Sequence, residues 1–242
     1  MAYQTRGRDP LFDSDMQAAI EKRGKELLGI GLVLLGLVFA AMIYSYHPDD
    51  PSFLSATDAP VQNWLGRSGA LISALLFFVM GSGAWAIVAA LWVWGGRMIV
   101  HRGTQNAWRL IFLPILIAVA ALYAATLAPA AGWPHDHGLG GKPADLALGF
   151  FLNLMPFGMG VSLKLIALAL AFGGLALASF VLGFTRPEVL RLGRFLLVGI
   201  IMTYATLLTL LGKGAHGALG AAQSLQARTA ERRAERDRQA QP

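Results

Sequence analysis

Four long runs of the sequence contain no Asp, Glu, Lys, Arg or His. Each is long enough for a transmembrane helix, which needs roughly 20 apolar residues to cross a hydrocarbon core about 30 Å thick. The chain is 55% hydrophobic and only 14% charged, a balance that a soluble core could not use. The sequence therefore predicts an all-α integral membrane protein with four transmembrane helices. The four runs are 28–46, 70–94, 110–128 and 165–184.

Two further apolar stretches are less regular. Residues 149–163 are interrupted by an asparagine, a proline and two glycines. Backbone groups left unpaired at such breaks are costly in lipid, so we predict a short amphipathic or re-entrant helix on the periplasmic side. Residues 195–212 are uncharged and by hydropathy alone could form a fifth transmembrane helix. We predict instead that they form a C-terminal apolar helix at the inner leaflet.

The distribution of the twenty Lys and Arg residues predicts the topology. Cytoplasmic loops of membrane proteins carry an excess of these residues, and dense and sparse segments alternate along this chain. We therefore expect both termini in the cytoplasm, because a fifth crossing would export the six bases of the tail. The predicted organisation is a cytoplasmic segment 1–27, a membrane domain 28–212 and the cytoplasmic start of a linker, 213–242. The dense segments are 1–27, 95–109, 185–194 and 213–242, and the sparse ones are 47–69 and 129–164.

The stretch "SYHPDDPSF", residues 45–53, directly follows the first apolar run. Pro48 and Pro51 have no backbone N–H for a helical hydrogen bond, so they end the helix. Asp49 and Asp50 are expected to cap the turn that follows. We predict an exposed periplasmic turn that partner proteins recognise. On that interpretation, replacing Asp50 and Pro51 would leave membrane insertion intact.

This loop and the sequence after it resemble the N-terminal membrane domain of the FtsK/SpoIIIE family of DNA translocases, in its alphaproteobacterial form. The family's first outer loop has a Ser-aromatic-x-Pro-x-Asp-Pro-Ser pattern, followed by Asn-x-x-Gly-x-x-Gly. The resemblance extends over about 25–190, includes the glycine-rich "GLGG" at 138–141, and does not extend to 195–212. The matching residues are Ser45, Tyr46, Pro48, Asp50, Pro51, Ser52, Asn63, Gly66 and Gly69.

The resemblance implies a function that the composition does not reveal. It implies a membrane anchor and septal recruitment domain in the bacterial inner membrane, which holds an ATP-driven DNA motor at the division site for chromosome segregation. The implied partners are membrane lipids, division-site membrane proteins and further copies of the chain, a hexamer in the full-length family. DNA and ATP would be bound only by the motor domain, which we expect to lie outside residues 1–242.

The sequence indicates no catalytic residue, cofactor or metal site. A phosphate-binding loop needs Ser or Thr after Gly-Lys, but here Glu, Pro or Gly follows each such pair. His135, Asp136 and His137 could ligate zinc, but neighbouring residues converge poorly on one ion, so a solvated loop is the favoured interpretation. A transporter or channel is the alternative function. It would need ionisable groups within the membrane, and the four runs contain none.

Two smaller features complete the sequence predictions. Three arginines, Arg97, Arg102 and Arg109, lie in one short segment, where topology and anionic lipid headgroups explain them better than nucleic acid does. The last run is rich in small residues at a spacing of four, which permits close helix contact in lipid, either within one bundle or between protomers. The possible packing residues are Ala169, Gly173, Gly174 and Ala178.

Overall fold

The computed structural model describes residues 14–102 and 107–209, which are helical and contain no β-strand. This confirms the predicted all-α class. Helix α1 spans Ser14–Tyr44, 31 residues without interruption. Its first half is charged and carries ion pairs between Lys25 and Glu21 and between Arg23 and Glu26. The predicted boundary at residue 27 is therefore a change of composition within one helix.

The second apolar run forms two α-helices. Helix α2 spans Gly66–Met80 and helix α3 spans Trp85–Ile99, with a 3₁₀ turn at Gly81–Ala84 between them. Gly81 has a φ of +52°, which a right-handed helix cannot contain. The predicted helix 70–94 is thus divided near its middle, although the whole stretch of 34 residues is long and apolar enough to cross a membrane.

Three more helices follow in the same compact unit. A 3₁₀ turn at Ala107–Phe112 leads into α4, Leu113–Ala125. A short helix, α5, precedes the last predicted run, but it spans Lys142–Leu154, so the predicted bounds 149–163 are wrong. Residues 155–158 are not helical, and α6 then spans Met159–Val181. The physical reason is local, because Pro156 and Gly158 stand between the two helices rather than inside one.

Helix α7, Arg186–Thr209, belongs to a second compact unit. It begins nine residues before the predicted start at 195, and residues 210–212 lie outside the described residues, as do 1–13 and the predicted linker 213–242. In the described part of the chain, five helical stretches are long and apolar enough to cross a membrane. They are Asp15–Tyr44, Gly66–Ile99, Trp108–Ala125, Met159–Val181 and Arg186–Thr209.

Helix α1 packs mainly against α3, and glycines allow the close approach. A Cβ atom on Gly95 would lie 2.6 Å from the carbonyl oxygen of Gly29 and 2.8 Å from a methyl carbon of Val33. Further along the same contact, Ile43 is buried against Ala84 and Val88. Small residues hold membrane helices together in this way because lipid provides no hydrophobic drive between them. The α1–α3 pair is the most extensive helix–helix contact in the described part of the chain.

The contact at Gly95 leads to a prediction for which the next residue, Gly96, is the control. Gly95→Ala should destabilise the protein by about 1–3 kcal/mol, because the added methyl group has no space between the two helices. Gly96, with nothing within 4 Å of an added Cβ, should accept alanine without loss. The measurement is the free energy of unfolding of both purified variants in a denaturing-detergent titration. Equal stability of the two variants would show that α1 and α3 do not meet at Gly95.

Candidate functional site

The loop between α1 and α2 folds around one buried carboxylate. Asp50 is only 2% exposed, and its two oxygens accept hydrogen bonds from the backbone N–H groups of Gln62, at 2.7 Å, and Asn63, at 3.0 Å. These bonds close the loop, because they join its first turn to its last residues. The expectation that Asp50 lies in an exposed turn and caps it is therefore wrong. A carboxylate with two backbone donors is stable when buried, whereas an unpaired one is not.

Asn63 joins the same loop to both neighbouring helices. Its side-chain amide donates to the carbonyl oxygen of Met42, at 2.9 Å, and lies 3.4 Å from Ser73 Oγ. Met42 lies in the last turn of α1, where backbone carbonyls lack helical partners. The side-chain oxygen of Asn63 accepts from the N–H of Leu65, at 3.1 Å. This one residue, 4% exposed, fixes the end of α1 against the start of α2.

The two motif glycines are required for different reasons. Gly66 begins α2 with a φ of +67°, a conformation that glycine adopts without strain. A Cβ atom on Gly69 would collide with the side-chain oxygen of Asn63. Gly69 is thus required by packing against the buried amide, whereas Gly66 is required by its backbone conformation.

The remaining motif residues shape the turn. Ser45 Oγ accepts from the N–H of Trp64, at 3.0 Å, and donates to the carbonyl of Ala41, at 2.7 Å. Pro48 is the second residue of a turn closed by the N–H of Asp50 on the carbonyl of His47, and Pro51 follows that turn. A second small turn forms where Ser52 Oγ accepts from two backbone N–H groups, each at 3.2 Å. The motif therefore maintains the shape of the loop.

The loop between α4 and α5 is fixed just as closely. Ser82 donates its N–H to the carbonyl of Leu139, at 2.7 Å, directly beside the left-handed Gly81. Gly140 fits against Ala121, where a Cβ atom would collide with the backbone. At the start of α5, Asp145 accepts from the N–H of Gly138, at 2.6 Å. The glycines of 138–141 therefore seat this loop against the break between α2 and α3.

Stacked rings connect the two loops. Tyr46 lies 4.2 Å from Phe77 and 5.6 Å from His135, centroid to centroid, and His135 stacks in turn on His137 at 4.9 Å. Burial raises the pKa of the Tyr46 phenol to about 12, helped by the charges of Asp50 and Asp49. Burial also lowers the pKa of His135, and His137 adds to the effect. Both rings are consequently neutral at pH 7 and suited to stacking.

The predicted solvated loop around His135 is therefore only partly correct, because the loop contains buried as well as exposed side chains. His137 is 7% exposed, and Trp133 donates its indole N–H to the carbonyl of His137, at 2.7 Å. Asp136 points away from both rings toward Lys142, at 3.3 Å, and that contact lowers its pKa. In the described part of the chain, no three His, Cys, Asp or Glu side chains are grouped as metal ligands. Ring stacking accounts for both histidines.

Large apolar side chains are exposed around this fixed frame. Phe53 is 80% exposed at the tip of the first loop, beside Leu54 at 53%. At the base of the loop Tyr44 and Trp64 are also largely exposed and lie 5.6 Å apart, centroid to centroid. Two rings at a helix end are typical of the membrane–water interface. The exposed pair Phe53 and Leu54 is named here the loop tip.

The small residues of α6 do not share one environment. A Cβ on Gly174 would lie 3.3 Å from a methyl carbon of Val119 in α4, and Ala178 is half-buried. Gly173 and Ala169 are exposed, and nothing lies within 4 Å of a Cβ on Gly173. The pair Gly174 and Ala178 thus lies on the side of α6 that meets α4. Contact between protomers through Ala169 and Gly173 stays a prediction.

These helices and loops define a multi-pass α-helical membrane protein whose two loops are joined into one surface. A family model described as the "4TM region of DNA translocase FtsK/SpoIIIE" matches residues 21–191, and the chain belongs to this family. The match confirms the resemblance over 25–190. The matched region ends within the first turns of α7, in agreement with the prediction that the family resemblance does not extend to 195–212.

Curated relatives agree with the family. The chain is 32% identical over 131 residues to a protein named DNA translocase FtsK from Bradyrhizobium diazoefficiens, covering 54% of this chain and 16% of the relative. It is 35% identical over 162 residues to that of Brucella suis biovar 1, covering 65% and 19%. The relative from Caulobacter vibrioides is 32% identical over 159 residues, covering 63% and 19%. The chain therefore spans less than a fifth of these relatives. No solved structure matches it.

Sequence reasoning found the motif residues but missed two contacts that hold the site together. One is the seating of 138–141 on Gly81, and the other is the ring stack from Tyr46 to His137. Both join residues more than fifty positions apart, which no local pattern reveals. The paired glycines after "WPHDH" were the available signal for the first of them.

The buried carboxylate gives a prediction with an adjacent control. Asp50→Ala should lower the free energy of unfolding by about 2 kcal/mol or more, because two buried N–H groups lose their acceptor. Asp49→Ala should change it by less than about 0.5 kcal/mol, since that side chain is 79% exposed. The measurement is again a denaturing-detergent titration of the purified proteins. An Asp50→Ala protein as stable as Asp49→Ala would contradict the structural role of the carboxylate.

Proposed function

We propose that this chain is the membrane anchor and septal recruitment domain of a cell-division DNA translocase. In this function it holds an ATP-driven DNA motor at the division site of the inner membrane, where chromosomes are segregated. Family membership and relatives named DNA translocase support the proposal. The motor, with its DNA and ATP, corresponds to the part of the relatives that the chain does not match. The chain itself has no catalytic role in this proposal.

The loop tip is the observation that carries the recruitment proposal. Asp50 and Asn63 fix the loop, so Phe53 and Leu54 are held in place on a rigid base. An exposed aromatic side chain on a rigid base binds with little loss of conformational entropy. Division-site membrane proteins are the proposed partners on this side of the membrane. Oligomerisation, with six copies around the motor, is the proposed assembly.

Localisation tests the recruitment proposal. The chain fused to a fluorescent protein should gather at midcell in a dividing alphaproteobacterium. Phe53→Ser with Leu54→Ser should lose this localisation while the protein still folds, because both side chains are already exposed. Asp58→Ser, an exposed change in the same loop, is the control and should localise normally. Fluorescence microscopy with immunoblotting of membrane fractions provides both readouts.

Two outcomes would contradict it. Uniform membrane fluorescence of the unchanged chain, in cells whose other division proteins assemble normally, would remove the recruitment role. Midcell localisation of the Phe53→Ser, Leu54→Ser protein would leave the role intact but exclude the loop tip as its surface.

The proposed topology places both termini in the cytoplasm, with four crossings. Because the chain has no cysteine, single cysteines can be introduced cleanly. An impermeant thiol reagent should label Ala56→Cys and Ala130→Cys in spheroplasts, and Thr104→Cys and Thr229→Cys only after permeabilisation. The excess of basic residues around the latter two sites is the physical reason. Labelling of Thr229→Cys in intact spheroplasts would mean that α7 crosses the membrane and that there are five crossings.

A further inference from the structure

An apolar cavity of about 440 Å³ lies at the end of the bundle away from the fixed loops. Four elements of the first compact unit enclose it: α1, the end of α3, the turn before α4, and the end of α6. The wall is mostly apolar and includes Leu32, Leu91 and Leu113. Trp94 holds the wall together, since its indole N–H donates to the carbonyl of Val181 at 3.1 Å. We name this feature the arginine cavity, after three side chains at its rim.

Arg97, Arg102 and Arg109 line the cavity, and none of its lining residues is acidic. Two of the guanidinium groups converge on Gly183, where a Cβ atom would lie 3.0 Å from Arg109 Nη1 and 3.6 Å from Arg97 Nε. Gly183 has a φ of +80°, so the chain turns away here and leaves the space open. The cavity therefore combines a cationic rim with an apolar interior.

Arg109 is held in place but is not satisfied. Its guanidinium carbon lies 5.3 Å from the centre of the Phe180 ring, a cation–π distance. Its Nε is buried and has no hydrogen-bond partner among the described residues. A buried donor without an acceptor costs about 1–3 kcal/mol, so an arrangement of this kind favours an external acceptor. The acceptor best suited to guanidinium groups is a phosphate or carboxylate oxygen.

We propose that the arginine cavity binds one anionic phospholipid. Its phosphate accepts hydrogen bonds from Arg102 and Arg109, and one acyl chain lies along Leu32, Leu91 and Leu113. A free anion would use only the rim, and a neutral hydrocarbon only the interior. A lipid with a net negative headgroup would contact both the arginines and the apolar interior. The arginines belong to a basic segment, which faces the anionic cytoplasmic leaflet by the positive-inside rule.

Native mass spectrometry of the delipidated chain tests the proposal. Phosphatidylglycerol should form a one-to-one adduct, phosphatidylcholine should bind more weakly, and glycerol 3-phosphate should neither bind nor compete. Arg102→Gln with Arg109→Gln should weaken the phosphatidylglycerol adduct about thirtyfold, from two bases at about 1 kcal/mol each. The matched control is Arg67→Gln with Lys164→Gln, which removes the same charge from exposed positions remote in sequence from the cavity. It should bind like the unchanged chain.

A second variant tests the interior without changing any charge. Leu113→Trp should fill part of the cavity and also abolish the adduct. Circular dichroism melts identify a variant that fails to fold. If either the arginine pair or Leu113→Trp does not fold, the proposal is tested with the one that does.

Four results would overturn the proposal. Equal loss in the arginine pair and its control would reduce binding to general charge attraction. Displacement by glycerol 3-phosphate would assign the site to a small anion. Unchanged binding in a folded Leu113→Trp protein would place the lipid elsewhere, and crosslinking of this position to a second chain would make the cavity a self-association surface.

Discussion

Two hydrogen bonds on a buried carboxylate determine the shape of the surface that the two loops form. Asp50 satisfies two backbone amides, and Asn63, one of the residues it holds, satisfies a carbonyl in the last turn of α1. Polar groups withdrawn from water are stable only when paired in this way. The position of Tyr46 over Phe77, and hence the contact with the second loop, depends on the same turn. The exposed loop tip is carried on this hydrogen-bonded frame.

Much of the fold was predictable from hydropathy alone. Uncharged runs of sufficient length identify membrane helices, because the hydrocarbon core imposes one length on all of them. Hydropathy contains no information about backbone dihedral angles, so it could not reveal that Gly81 divides one run into two helices. For the same reason the apolar stretch 149–163 was interpreted as one unit, although its proline and glycines separate two helices. The length of α7 before residue 195 was hidden by three arginines in its first turns.

The candidate site was predictable only in part. The family resemblance identified the motif residues, and the structure then gave them roles that the pattern itself did not contain. Asp50 was expected to be exposed because aspartate beside proline is typical of surface turns. Its partners lie twelve and thirteen residues away, beyond the reach of any turn rule. The arginines at 97–109 were attributed to topology, since the proximity of Arg97 and Arg109 to Gly183 arises only when α6 packs back on the bundle.

The uninterrupted length of α1 has a mechanical consequence. At about 1.5 Å per residue its 31 residues measure about 46 Å, roughly 16 Å more than the hydrocarbon core. The excess is a charged rod, stiffened on its surface by the pairs of Lys25 with Glu21 and Arg23 with Glu26. A force applied near Ser14 reaches the glycine contact with α3 without passing through a hinge. A displacement of the charged end of the first helix is therefore transmitted directly to α3.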